Sequence, residues 1–165
     1  MKAIALALVL GCTLPALAQL TITNGTQFII SGDPELTLHN TDLINNGTFS
    51  AGNAHVYFTG NSSAAIGGEQ PLQFHWLGIN KSNGAKLLLQ RNIAVWGSIN
   101  FSSGILDIDN HTIDLGPTPS LVGEKENTRI MAAAGGELIA TAVLNNPAGV
   151  NPGNLGAVIS SSQNL

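Results

Sequence analysis

The chain has 165 residues, 44% of them hydrophobic and only 10% charged, with a formal net charge of -4. Six Lys plus Arg cannot supply the basic footprint that nucleic acids require, and so apolar a chain is not a disordered one. Nineteen glycines, with abundant Asn, Ser and Thr, cut the sequence into short apolar segments, which is an all-β composition.

The first element is a leader. Met1-Lys2 is followed by an apolar run over residues 3–10 and then by Ala16-Leu17-Ala18, a small-x-small end. A positive start, an apolar stretch of about ten residues and such an end make a secretory signal peptide over residues 1–18, cleaved between Ala18 and Gln19. The run is well short of the roughly 20 residues that span a bilayer. A competing reading makes Val9-Leu10-Gly11-Cys12 a lipoprotein signal, with Cys12 acylated. Cleavage after Ala18 leaves a mature chain without cysteine, so disulfides do not stabilise it. Either leader sends the protein to the cell surface or the medium.

Strand signals then follow in order. Runs of β-branched, aromatic and aliphatic residues, bounded by Gly, Asn, Asp or Ser, begin at Gln27, Glu35, His55, Gln73 and Lys86. Further runs are Ile93-Ala94-Val95-Trp96, Ser98-Ile99-Asn100-Phe101, Ile105-Leu106-Asp107-Ile108-Asp109 and Thr112-Ile113-Asp114-Leu115. Beyond Pro117 and Pro119 the pattern resumes at Arg129-Ile130-Met131, Glu137-Leu138-Ile139 and Gly156-Ala157-Val158-Ile159-Ser160. The bends are too short for crossover helices, which excludes a βαβ fold. Asn24-Gly25-Thr26 recurs as Asn46-Gly47-Thr48, a step of 22 residues, within the 20–25 residues of one solenoid coil. The expected fold over residues 19–165 is therefore a right-handed parallel β-helix, or β-solenoid, with Asn side chains laddered at its bends. An antiparallel β-sandwich is the alternative. The chain stops after Gln163-Asn164-Leu165 with no evident closing element, so a solenoid truncated at its C-terminus is expected.

Asn45-Asn46-Gly47-Thr48-Phe49, Val56-Tyr57-Phe58-Thr59-Gly60-Asn61, Phe74-His75-Trp76-Leu77-Gly78-Ile79 and Val95-Trp96-Gly97-Ser98-Ile99 form a recurring phrase. Over roughly residues 40–160 it is similar to the β-helical N-terminal regions of large Bacteroidetes surface proteins, cargo of the type IX secretion system. The C-terminal sorting domain usual in those proteins is not seen here. The resemblance implies surface display or release, and no catalytic activity by itself.

Candidate chemistry is sparse. Asp107 and Asp109, two apart on one strand face, could hold Ca2+ or act as an acid–base pair; an exposed polar strand face is the plainer reading. No other cofactor is implied. Asn40-Thr41-Asp42 matches one motif of polygalacturonase-like β-helix enzymes, but the companion motifs are missing. His39, His55, His75 and His111 show no metal-ligand spacing. Tyr57, Trp76 and Trp96 could stack on sugar rings. Burial in the core is the favoured alternative for Trp76; for Trp96, beside a turn, the two readings balance. The function expected is an exported, non-catalytic, adhesin-like module that spaces or presents further domains of the same chain and can bind polysaccharide or cell-surface glycans. The alternative is a fragment of a β-helical polysaccharide lyase or hydrolase.

Overall fold

The structure, a computed structural model, describes residues 18–118 and 120–165. The expected leader up to Leu17, with Cys12, lies outside the described residues, and Ala18 opens the first strand. The first coil comprises β1 (Ala18–Ile22), β2 (Gln27–Ile29) and β3 (Glu35–His39). The second is β4 (Thr41–Asn45), β5 (Thr48–Ser50) and β6 (His55–Gly60). Two-strand coils follow: β7 (Ala64–Gly67) with β8 (Gln73–Lys81), then β9 (Lys86–Leu89) with β10 (Ile93–Ser103). The fifth holds β11 (Ile105–Asp107), β12 (Thr112–Asp114) and β13 (Leu121–Val122), and the sixth β14 (Arg129–Met131) and β15 (Glu137–Ile139). Among the described residues there is no helix.

These strands pair in parallel, each with the coil before or after it. That is a β-solenoid of six coils; a sandwich built from hairpins would pair its strands antiparallel. The stack has three faces. The first is the six-stranded sheet β1-β4-β7-β9-β11-β14. The second and third fuse, because β8 and β10 run from one into the next. Ile93 and Ala94 pair with β12, whereas Ile99 and Asn100 of the same strand pair with β13. The pair β2-β5 continues the second face, where Phe49 packs on Phe74 with ring centroids 5.6 Å apart.

Alternation of in and out along each strand builds the core in columns. Leu20, Leu43, Ile66 and Leu89 lie one above another on the first face, at steps of 23 residues. Leu36, Val56, Leu77, Ile99 and Leu121 do the same on the third. Each large side chain so buried contributes roughly 1.5–3 kcal/mol. Coil length varies, however, and this spoils the expected asparagine ladders. Among the described residues, only Asn40 and Asn61 bond amide to amide between coils, at 3.1 Å. Elsewhere the Asn46 and Asn92 side chains accept the backbone N–H groups of Glu69 and Thr112 on the next coil. The echoed Asn-Gly-Thr triplets also differ in conformation. Gly25 takes a left-handed turn (φ 79°), while Gly47 sits where a Cβ would collide with the carbonyls of Thr23 and Thr26.

The strand expected at Gly156-Ala157-Val158-Ile159-Ser160 does not join the stack. Val150 and Ile159 bridge antiparallel, and Leu144 and Leu165 exchange two backbone bonds of 3.0 and 2.8 Å, so this tail folds as a hairpin. Near its tip the Gly153 carbonyl accepts the Leu121 N–H at 3.0 Å, and the Asn154 amide reaches the Leu121 carbonyl at 3.2 Å. The tail thus pairs with Ser120 and Leu121 at the outer side of β13.

Lys81, at the end of β8, is only 1% exposed. Its ammonium donates to the carbonyls of Thr59 (2.8 Å) and Ser62 (3.0 Å), tying two coils together. Burial pushes its pKa below the ordinary lysine value, and the charge of Asp42 opposes that only in part. The folded state therefore holds this proton less tightly than the unfolded chain does. Stability should rise with pH from the folded pKa up to about 10.4, at no more than about 1.4 kcal/mol per pH unit. Urea unfolding at a series of alkaline pH values checks this; the rise should vanish in Lys81→Met.

Candidate functional site

The corner between the second and third faces differs sharply from coil to coil. Seven residues (29–35) separate inward Phe28 from Leu36 in the first coil, and six (50–55) separate Phe49 from Val56 in the second. The fifth coil uses five (116–120) between Leu115 and Leu121. The third coil turns with two, His75 and Trp76, between Phe74 and Leu77. The fourth turns with three, Trp96, Gly97 and Ser98, and the register of β10 on β8 shifts between Val95 and Ser98 to absorb the extra residue. Two tight corners thus lie between two longer loops and form the floor of a saddle. The two tryptophans of the chain are both on that floor.

The tight turn explains their exposure. Phe74 and Leu77 both point inward, so the two residues between them must face out, and strict alternation fails. Trp76, favoured for the core on the grounds of size, therefore sits half-buried on the outer surface. It stacks on His55 of the preceding coil, with centroids 5.0 Å apart and planes within 10°, and meets His75 edge-on at 5.2 Å. Tyr57 lies near-parallel to His55 at 6.4 Å. Trp96 is 45% exposed, a large cost for an indole left in water.

Three of these rings, those of Tyr57, His75 and Trp96, are each seated on a glycine one coil further on. A Cβ on Gly78 would collide with the Tyr57 ring, one on Gly97 with the backbone and ring of His75, and one on Gly116 with the Trp96 indole. Trp96 lines a cleft of about 430 Å³ with Asp114, Gly116, Pro117 and Thr141. One Asp114 oxygen is fixed by the Gly116 N–H at 2.9 Å. Across the saddle, His75, Gln73 and Gly52 border a second depression of about 210 Å³. No Lys or Arg among the described residues lines either one. Paired with Trp76 on the following coil is Ser98, buried, with its hydroxyl unpartnered among the described residues.

Asp107 and Asp109 are arranged differently from the expected pair. β11 ends at Asp107, and Asp109 lies beyond it in a left-handed turn (φ 48°). One Asp107 oxygen is 3.0 Å from the Lys86 ammonium and the other accepts the Asp109 N–H at 3.2 Å. A cation would have to displace Lys86. Both residues border a depression of about 240 Å³ with Leu88, Leu89 and Gln90, lined by no aromatic residue. Asn40 and Asp42 are also engaged structurally, their side chains accepting the N–H groups of Ser62 and Ala65. Of the histidines, His55 and His75 converge on Trp76, His39 bonds Thr59 at 3.1 Å, and His111 stands apart at the Ile108 turn. The three glycine seats were missed from sequence. Their signal is a Gly falling 20–22 residues after an aromatic residue.

Among known proteins, no family model, no curated protein and no solved structure matches the chain. The saddle therefore has to be judged on its own geometry.

Gly116→Ala should tilt the Trp96 indole and cost about 1–3 kcal/mol. In a Trp76→Phe background, where Trp96 is the only indole, its fluorescence maximum should move. Gly84→Ala is the control, because Gly84 shares the left-handed backbone but has open space around it (φ 75°); that substitution should leave the emission unchanged.

Proposed function

We propose that the chain is an exported, non-catalytic surface module, a solenoid that spaces or presents further domains and holds glycan in the saddle. The observation that carries this reading is the placement of both tryptophans on the tight corners, Trp96 seated on Gly116 and Trp76 stacked on His55. Aromatic rings exposed beside polar side chains suit pyranoses, whose C–H faces stack on the ring while their hydroxyls bond at the rim. The leader at residues 1–18 supports export. The likeness of residues 40–160 to β-helical regions of Bacteroidetes surface proteins supports display at the cell surface.

Cleavage of a glycoside ordinarily needs two carboxyl groups flanking the bond, about 5–10 Å apart. The two saddle depressions are bordered by one carboxylate, Asp114, while Asp107 and Asp109 open elsewhere. Binding is therefore the better supported role.

On a glycan array the chain should bind at least one glycan, and Trp76→Ala and Trp96→Ala should each weaken that binding roughly tenfold, about 1.4 kcal/mol. Asp107→Ala should leave it unchanged. Prolonged incubation should release no new reducing or unsaturated ends. Their appearance would favour the lyase or hydrolase alternative, and binding indifferent to both tryptophans would place the site elsewhere.

A further inference from the structure

We infer that the saddle is a cleft open at both ends, which takes an interior segment of an extended, uncharged polysaccharide laid across the corner over Trp76 and Trp96. This rests on the glycan-binding reading and adds chain direction, mode of entry and charge class.

Direction follows from the walls. The long corners of the second and fifth coils are three coil steps apart, roughly 14 Å at 4.8 Å per step. That gap admits one chain lying between the walls and stops an extended chain from running lengthwise along the solenoid. Entry follows from the floor. β8 and β10 continue through the corner into both faces, so neither end of the cleft is blocked by a loop. Where the floor leaves the corner it carries small or amide-bearing residues: Gln73 and Ala94 on the second face, Asn80 and Asn100 on the third. These offer donors and acceptors for hydroxyls, and none projects as a plug. A pocket that captured a chain end would need one.

The charge class follows from where the cations are. Lys81 is buried, Lys86 is paired with Asp107 on the first face, and Arg129 opens β14 on that same face. Lys125 lies in the turn before β14, outside both saddle depressions. Arg91 borders a depression beyond the corner with Gln73 and Ala94, and its guanidinium is engaged there by the Gly68 carbonyl at 2.7 Å. Asp114, beside Trp96, carries the wrong sign for a uronate or a sulfate ester.

The test is affinity electrophoresis of the full chain in gels containing β-glucan, xylan or mannan, and in parallel alginate or polygalacturonate. Any retarding glycan is then titrated as monosaccharide, disaccharide and so on to octasaccharide. Retardation is expected in a neutral polymer and in neither polyuronate. Affinity should rise at least roughly tenfold from monosaccharide to tetrasaccharide and then level off, and Trp76→Ala and Trp96→Ala should each remove most of that gain. Retardation by polyuronates instead of neutral polymers overturns the charge assignment. A monosaccharide bound as tightly as the octasaccharide overturns the open cleft while leaving glycan binding intact. Retardation by no polymer overturns the glycan reading, and this inference with it.

Discussion

Parallel stacking at a fixed rise is the constraint on which the rest of this structure depends. Each coil must place its strands about 4.8 Å above those of its neighbour, in register, so backbone pairing and side-chain columns are set together. Leu43 is buried because Leu20 and Ile66 lie directly below and above it, and no single coil could bury it alone. The strands have to agree; the corners do not. A corner can gain or lose residues without disturbing the columns, as the run from seven residues to two between the second and third faces shows.

Variation at the corners is what shapes the surface. Where the chain turns with two or three residues, β8 and β10 pass straight through and the side chains at the bend are thrown outward. His75, Trp76 and Trp96 are exposed for that reason, and glycines on the following coil leave room for His75 and Trp96 to lie down. Where the turn is longer, its residues border the tight corners, Gly52 beside His75 and Pro117 beside Trp96. One physical fact, unequal corner length on an otherwise regular stack, thus yields both the aromatic floor and its borders. The buried Lys81 acts at the other end of the third face, holding two coils by their carbonyls.

Much of the fold was legible in the sequence because alternation is a local signal. The runs at Glu35, Arg129 and Glu137 match β3, β14 and β15 from end to end. β7, Ala-Ala-Ile-Gly, was not legible: it is buried throughout and has no alternation to betray it. The site was less legible still. Alternation places Trp76 according to its neighbours, and the rule breaks where Phe74 and Leu77 both turn inward. Asp107 and Asp109 were grouped on a strand face that ends at Asp107. Which corners are tight depends on the register between coils, and no short window of residues contains that information.

The claim that corner length makes the site is tested most directly by altering a corner and nothing else. Inserting the sequence of residues 51–54 between His75 and Trp76 would give the third coil the long corner of the second, with every core column kept. Retention of the chain in neutral-polysaccharide gels would then be compared with its far-UV circular dichroism and thermal midpoint. The account predicts an unchanged β spectrum, a midpoint within a few degrees of the parent, and retention lost. Retention undiminished with the saddle filled would contradict it.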